Sequence, residues 1–152
     1  MKKRLSFLFF IFLTSINLKA QQQKESPPKK ASKIIVIIKD TSNLLNNIAV
    51  ELFNRRFTID TRDDKLKYLT TKERTNSNGA VLTRIRVLIN DSSIVFTSEM
   101  ALANDITIMG VTTKQTFDPV TFSGMKKSYM MQAWNELDEI ARKFGDKIIY
   151  SK

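Results

Sequence analysis

The chain has 152 residues, and its 25 Lys and Arg residues outnumber its 15 Asp and Glu residues to give a formal net charge of +10. It contains neither cysteine nor histidine, which excludes thiolate nucleophiles, disulfides, zinc fingers, Ser-His-Asp triads and histidine-ligated metal sites. The length is that of a single domain.

The first twenty residues have the pattern of a secretory signal peptide. Three basic residues at 2–4 precede an apolar run at 5–13, and Ala20 offers a small residue for cleavage. A membrane-spanning helix needs about 20 apolar residues, far more than this run provides. We therefore expect a signal peptide at 1–20, cleaved after about Ala20, and a bacterial protein that is periplasmic or secreted and has no integral membrane span after cleavage.

The next segment, 21–32, is polar, holds two of the three prolines and lacks a hydrophobic period. This composition predicts a flexible leader before a single α+β domain at 33–152. Removal of the signal peptide leaves 21 basic and 15 acidic residues, so the net charge of the mature chain falls to +6.

A continuous β-branched run at 33–38 predicts a strand that is covered on both faces. Asp40, Thr41 and Ser42 offer N-caps for a following helix, which should end near Arg55. The helical spacing of apolar residues predicts that its buried stripe comprises Leu45, Ile48, Ala49, Leu52 and Phe53.

From Arg56 onward the apolar period changes to two, which predicts a four-stranded antiparallel meander. Its loops are expected at 63–64, at 78–79, where Asn-Gly tolerates the positive φ of a tight hairpin, and at 91–92. These loops are typical of hairpin connections between adjacent strands.

The three loops define the register of the meander. They pair Ile59 with Tyr68, Tyr68 with Ile89, and Ile89 with Ile94. Apolar residues then meet across every pair, and a slip of one residue would move each of them to the other face.

The segment 101–122 is long and too apolar for a free loop. We expect a fifth strand at 106–111 and an irregular return through Asp118-Pro119. The alternative is a lid or partner-docking flap over the space between sheet and last helix. Under either interpretation, any ligand site should involve this segment.

The last helix is predicted by apolar residues at helical spacing. Ser123 or Gly124 should open it, Gly145 should occupy its C′ position, and 147–150 should form a short closing strand. The predicted fold is α+β, an antiparallel four- to six-stranded sheet with two helices packed on one face, in the order β-α-β-β-β-β-α. The apolar stripe comprises Tyr129, Met130, Ala133, Trp134, Leu137, Ile140, Ala141 and Phe144.

The first candidate site is a basic outer sheet face that could hold phosphate, lipid A or acidic glycan. The predicted registers place Arg84 between Glu73 and Glu99, which favours an ordinary solvated face. No aromatic residues interleave with the bases, so we expect no nucleic-acid binding. The bases of this face are Lys65, Lys67, Arg84 and Arg86.

The second candidate is the group Asp60, Asp63 and Asp64, which could hold calcium. The spacing lacks the glycine and terminal glutamate of an EF-hand loop, and Asp favours turns. We therefore predict no metal site and no cofactor. Acid and base roles could fall to Asp105, Asp118, Glu99 or Tyr68, but no spacing pairs them, so no catalytic set is assigned.

The run from Leu44 to Thr75 combines a helix ending near an aromatic residue, a strand, an Asp-rich turn and a strand ending in a threonine pair. It resembles small exported bacterial envelope domains of unknown function with a TATA-box-binding-protein-like or helix-grip arrangement, similar in kind to domains of the barrel-assembly lipoprotein C subunit. The chain lacks the anchoring cysteine of a lipoprotein. The resemblance implies a non-catalytic envelope role and carries over no functional residues.

We therefore expect a non-enzymatic exported binding or scaffold domain whose partner is an envelope protein, glycan or lipid. The alternative is a carrier of a small apolar ligand between sheet and C-terminal helix. This alternative is suggested by the apolar 101–122 segment and by four adaptable methionines. A hydrolase that uses carboxylates alone is a third hypothesis. The methionines are Met109, Met125, Met130 and Met131.

Overall fold

The computed structural model describes residues 26–40, 42–104, 106–108, 111–113 and 116–152, with 106–108 and 111–113 described by their backbone only. The signal peptide predicted at 1–20 and the first part of the predicted leader lie outside these residues. Within the described ranges, none of the helices combines the length and the apolar character needed to cross a membrane.

The described residues form two helices and ten strands. The helices are α1 (Leu44–Asn54) and α2 (Tyr129–Ala141). The strands are β1 (Lys33–Ile37), β2 (Ile59–Asp63), β3 (Tyr68–Thr71), β4 (Arg74–Thr75), β5 (Val81–Asn90), β6 (Ser93–Leu102), β7 (Ile106–Ile108), β8 (Val111–Thr113), β9 (Asp118–Pro119) and β10 (Ile148–Ser151).

Eight strands form one antiparallel sheet, in which six follow the order β10-β1-β6-β5-β3-β2 while β4 pairs with β5 and β9 pairs with β6. The predicted α+β class is confirmed, and the sheet has more strands than the four to six expected. The fifth strand predicted at 106–111 is wrong, because β7 and β8 pair with each other as a separate two-stranded sheet.

The core lies between one face of the sheet and the two helices, which both contribute to a single cluster of buried residues. Trp134 of α2 is 1% exposed, and Ile34 and Val36 of β1 are fully buried. Ala31 is also fully buried, and the backbone nitrogen of Lys30 donates to the carbonyl of Phe122 at 3.0 Å. The last residues of the predicted leader are therefore held against the domain.

Helix α1 begins one residue before its predicted stripe, and neither Asp40 nor Ser42 is its N-cap; Thr41, the third predicted N-cap, lies outside the described residues. Its N-cap residue is Asn43, with a φ of 53° and no side-chain capping bond, while Asp40 accepts from the backbone nitrogen of Ser42 at 2.8 Å. Because Leu44 joins the buried face, the stripe turns away from Phe53. That side chain is 73% exposed, not buried as predicted.

The β5–β6 hairpin has the predicted register over ten residue pairs, including Ile89 with Ile94. The β2–β3 hairpin does not, because its turn lies at 64–67, and Asp63 rather than Ile59 pairs with Tyr68. The carboxylate of Asp63 accepts two backbone N–H groups of this turn, each at 2.9 Å, which fixes the wider loop.

The pairing of Tyr68 with Ile89 is also wrong. β4 retains the predicted register against β5, but β3 is shifted by one residue, so that Tyr68 pairs with Leu88. This shift buries Leu69 fully and leaves Thr71 3% exposed, with the Thr71 hydroxyl accepting from a buried backbone nitrogen at 2.9 Å. The stabilisation from burying these two side chains outweighs the loss of the regular register. The same shift turns Tyr68 to the outer face.

Helix α2 begins later than predicted. Ser128, rather than Ser123 or Gly124, caps it by accepting from the backbone nitrogen of Met131 at 3.1 Å. Gly145 is not a left-handed C′ residue, since its φ is not positive. A Cβ there would lie 2.8 Å from the Cγ1 of Val36, so glycine allows the chain to approach β1 closely before the predicted closing strand, β10.

Candidate functional site

A row of five apolar residues crosses the outer face of the sheet, the face opposite the two helices. Ile149 pairs with Ile35, Ile35 with Val95, Val95 with Leu88, and Leu88 with Tyr68. These residues belong to five adjacent strands, so with strands about 4.8 Å apart the row is about 19 Å long. We call this set the outer-face row.

The row is accessible in the described part of the chain. Leu88 is 40% and Ile149 is 46% exposed, and the other three side chains are half-buried between their neighbours. The sequence of β1 predicted a strand covered on both faces, but α1 and α2 cover only one face of the sheet. Ile35 therefore belongs to a strand with the composition of a core strand and lies on a face that neither α1 nor α2 covers.

Basic residues flank the row on both sides. Lys33 is exposed on the same face, two residues from Ile35, and its register leads through Thr97 to Arg86. On the other side, the carbonyl of Lys147 accepts from the backbone nitrogen of Ile37 at 2.9 Å, which places exposed Lys147 beside the row. The outer face therefore has basic residues on both sides of its apolar centre, while Asp63, paired with Tyr68, lies at its β2 end.

The four bases predicted for this face separate into two groups. Arg84 contacts Glu99 at 2.6 Å and Arg86 contacts it at 3.0 Å, while Lys65 and Lys67 lie at the β2–β3 turn. No ion pair joins Arg84 to Glu73 among the described residues, so the predicted acid-base-acid row is reduced to its Glu99 half. Arg84 also lies over the ring of Phe117, 4.2 Å from its centroid.

The candidate calcium ligands serve the turn. Asp63 binds backbone N–H groups of the loop, and Asp64 pairs with Arg62 at 2.8 Å. Among the described residues, no group of three potential ligands could hold a metal ion.

The candidate acid and base residues are dispersed. Tyr68 lies in the outer-face row, Glu99 is paired with Arg84 and Arg86, and Asp118 is exposed on β9. Asp105 lies outside the described residues. Of the three in the described part, none is held by another as a nucleophile-base pair would require.

A cleft of about 350 Å³ lies between α2 and the β4–β5 hairpin. On its wall Arg74 binds both carboxylate oxygens of Glu136 and the carbonyl of Arg55 at 2.8 Å, and its guanidinium lies 3.9 Å from the centroid of the Phe57 ring. The arginine joins β4, α1 and α2. Its role was missed because Arg74 and Glu136 are 62 residues apart, and neither stands in a recognisable motif.

A second cluster joins α2 to β10. The hydroxyl of Tyr150 donates to Asp138 at 2.8 Å and accepts from Arg142. Burial, followed by the hydrogen bond to Asp138, raises the pKa of Tyr150 from 10.0 to about 12, and Arg142 partly opposes this. The cluster holds edge strand β10 against the helix.

Substitution Tyr150→Phe should therefore reduce stability in a pH-dependent way. A phenol whose folded pKa is raised stabilises the fold fully below its unfolded pKa of about 10, and this stabilisation is lost as pH rises to about 12. At neutral pH we expect a loss of about 1 kcal/mol. Urea unfolding at a series of pH values should show that the difference in the free energy of unfolding between wild type and Tyr150→Phe shrinks from pH 10 upward. A difference that stays constant would contradict the hydrogen bonds assigned to the Tyr150 hydroxyl.

The space between sheet and α2 is filled by aromatic side chains. The Trp134 ring lies 6.0 Å from Phe122 and 6.0 Å from Tyr150, centroid to centroid. Of the methionines invoked for an apolar carrier, Met131 is buried, Met130 accepts a hydrogen bond through its sulfur, and Met125 is 67% exposed; Met109 lies outside the described residues. No described contact favours a carrier.

No protein-family model matches the chain, and a search of curated proteins found no significant match. The candidate site is therefore defined by geometry alone.

Proposed function

We propose that this chain is a non-enzymatic, exported binding module of the bacterial envelope, which docks a partner protein on the outer-face row. One observation carries the proposal. Strand β1 has the apolar composition of a strand buried on both faces, while both helices lie on one face and Ile35 continues an apolar row on the other. A partner would cover the face that the described part of the chain leaves open.

The flanking charges define the partner's surface. Lys33 and Lys147 are exposed beside the apolar centre, whereas Glu99 is already engaged by two arginines. The partner surface that complements the outer-face row has apolar side chains bordered by Asp and Glu. Opposite charges at the rim of an interface direct association and exclude wrong partners.

A protein suits this surface better than a lipid bilayer or a nucleic acid. Ile35, Val95 and Tyr68 are half-buried in the sheet, so the row is level, whereas membrane anchors bury an apolar face about 5–10 Å deep in the lipid. A single aromatic residue in the row offers no series of stacking platforms for bases. A level apolar patch with a charged border has the anatomy of a protein interface.

The test compares one outer-face variant with one matched variant on the helical layer. Leu88→Glu places a charge in the row, and Phe53→Glu places the same charge at an exposed apolar position of α1. Leu88→Glu should weaken binding of the partner isolated from envelope extracts at least about tenfold, since a buried unpaired charge costs that much or more, and Phe53→Glu should not.

Two outcomes would overturn the proposal. One is equal recovery of the same partner by both variants, which would place the docking surface elsewhere. The other is binding of the wild-type chain to anionic phosphatidylglycerol vesicles that is lost in Leu88→Glu, with no protein recovered, which would make the row a lipid contact.

A further inference from the structure

In the described part of the chain, the two edge strands of the main sheet differ in how well they are protected against pairing with a strand of another molecule. Edge strand β2 carries Asp60, Arg62 and Asp63, and its pairing is irregular beyond Ile59, which are features that prevent edge-to-edge association. Edge strand β10 reads Ile-Ile-Tyr-Ser, with no charge and no proline, and it pairs with β1 in unbroken register. An edge of this kind is a template for another strand.

The hydrogen bonds to β1 define which backbone groups of β10 face outward. The carbonyl of Lys147 accepts from Ile37. Because successive residues of a strand direct their backbone groups to opposite sides, those of Ile148 and Tyr150 point away from β1. No strand in the described part of the chain pairs with that side of β10.

We propose that β10 pairs antiparallel with β10 of a second copy of this chain, around a two-fold axis at Ile149. In this register Ile148 exchanges both backbone hydrogen bonds with Tyr150 of the second copy, and the symmetric pair repeats the exchange. An isologous contact of this kind closes on itself and produces a dimer rather than a filament.

Charge complementarity selects this register. Asp146 and Lys152, both exposed, lie two residues before and one residue after β10, so pairing about a two-fold axis at Ile149 would bring Asp146 near Lys152 of the second copy on each side. Opposite charges directly across an antiparallel pair are stabilising. A shift of two residues in either direction separates them.

The dimer would also join the two docking surfaces. Ile149 of each copy would face its symmetry mate, so one outer-face row would continue into the other across a single sheet. This consequence rests on the proposed function, whereas the strand pairing does not, and the two are tested by different variants.

A cysteine at the axis tests the register directly, because the chain contains no cysteine of its own. Directly opposite residues have Cβ atoms about 4.5–5.5 Å apart, so Ile149→Cys should form a disulfide-linked dimer rapidly under mild oxidation. Asn90→Cys, at an exposed end of β5, is the control and should remain largely monomeric. Equal cross-linking of the two variants would overturn the pairing.

Charge exchange provides a second test that leaves the strand unaltered. Asp146→Lys and Lys152→Asp should each weaken dimerisation about tenfold in sedimentation equilibrium, and the double variant should recover it. Leu88→Glu should leave the dimer intact, even where it abolishes partner binding. A wild-type chain that stays monomeric at millimolar concentration, or a double variant that fails to recover, would contradict the proposal.

Discussion

Substitution Trp134→Ala is expected to lower the free energy of unfolding by about 3–5 kcal/mol. The indole is 1% exposed and contacts Phe122 and Tyr150 at 6.0 Å between ring centroids. Its removal leaves a cavity that a close-packed core refills only in part. Since domains of this size are stable by about 5–15 kcal/mol, a large part of the stability should be lost.

Urea unfolding followed by far-ultraviolet circular dichroism is the appropriate measurement, because the variant lacks the only tryptophan of the chain. Phe53→Ala, at an aromatic side chain that is 73% exposed, is the matched control and should change the free energy by no more than about 0.5 kcal/mol. Similar losses in the two variants would contradict the assignment of α2 to the core.

Substitution Arg74→Met is expected to cost about 2–3 kcal/mol. Breaking a buried ion pair leaves one charge uncompensated and costs about 3–5 kcal/mol, and the two side chains here, 23% and 26% exposed, keep part of their solvation. The variant also loses the bond to the carbonyl of Arg55 and the contact with Phe57.

A double-mutant cycle isolates this pair. Glu136→Met should lower the free energy of unfolding by a similar amount. The double variant should lose less than the sum of the two single losses, because apolar replacement of both partners leaves no unpaired charge. Arg62→Met removes an exposed pair with Asp64 and should change stability by about 0.5 kcal/mol or less. Additive losses at 74 and 136 would show that the pair does not couple α2 to β4.

The elements that the sequence predicted correctly are those whose pattern lies within one continuous stretch of the chain. The alternation of 81–89 and the turn at 91–92 define the β5–β6 hairpin, since both strands lie next to their shared turn. The stripe around Trp134 likewise defines α2 from a single stretch of chain.

The register of β3 could not be predicted, because two registers match apolar residues. The regular one pairs Tyr68 with Ile89, and the observed one buries Leu69 and Thr71 through a one-residue shift before β4. The choice depends on tertiary packing beneath the strand, which the hydrophobic pattern of one strand does not contain.

The candidate site depends on the same shift. Tyr68 reaches the outer face only in the observed register, and Ile35 and Ile149 join the row through pairings between distant parts of the chain. The apolar run of β1 was the available signal, since it predicted a second covered face. The covering element is absent from the described part of the chain.

Photocrosslinking in the living cell tests the central claim most directly. A photoreactive amino acid is placed in turn at Ile35, Leu88 and Val95 of the outer-face row, and at Val50 and Phe53 on the exposed side of α1. The account predicts that the row positions give a discrete adduct with the same envelope protein and that the helix positions do not. Adducts confined to α1, or an outer face that yields none at all three positions, would contradict it.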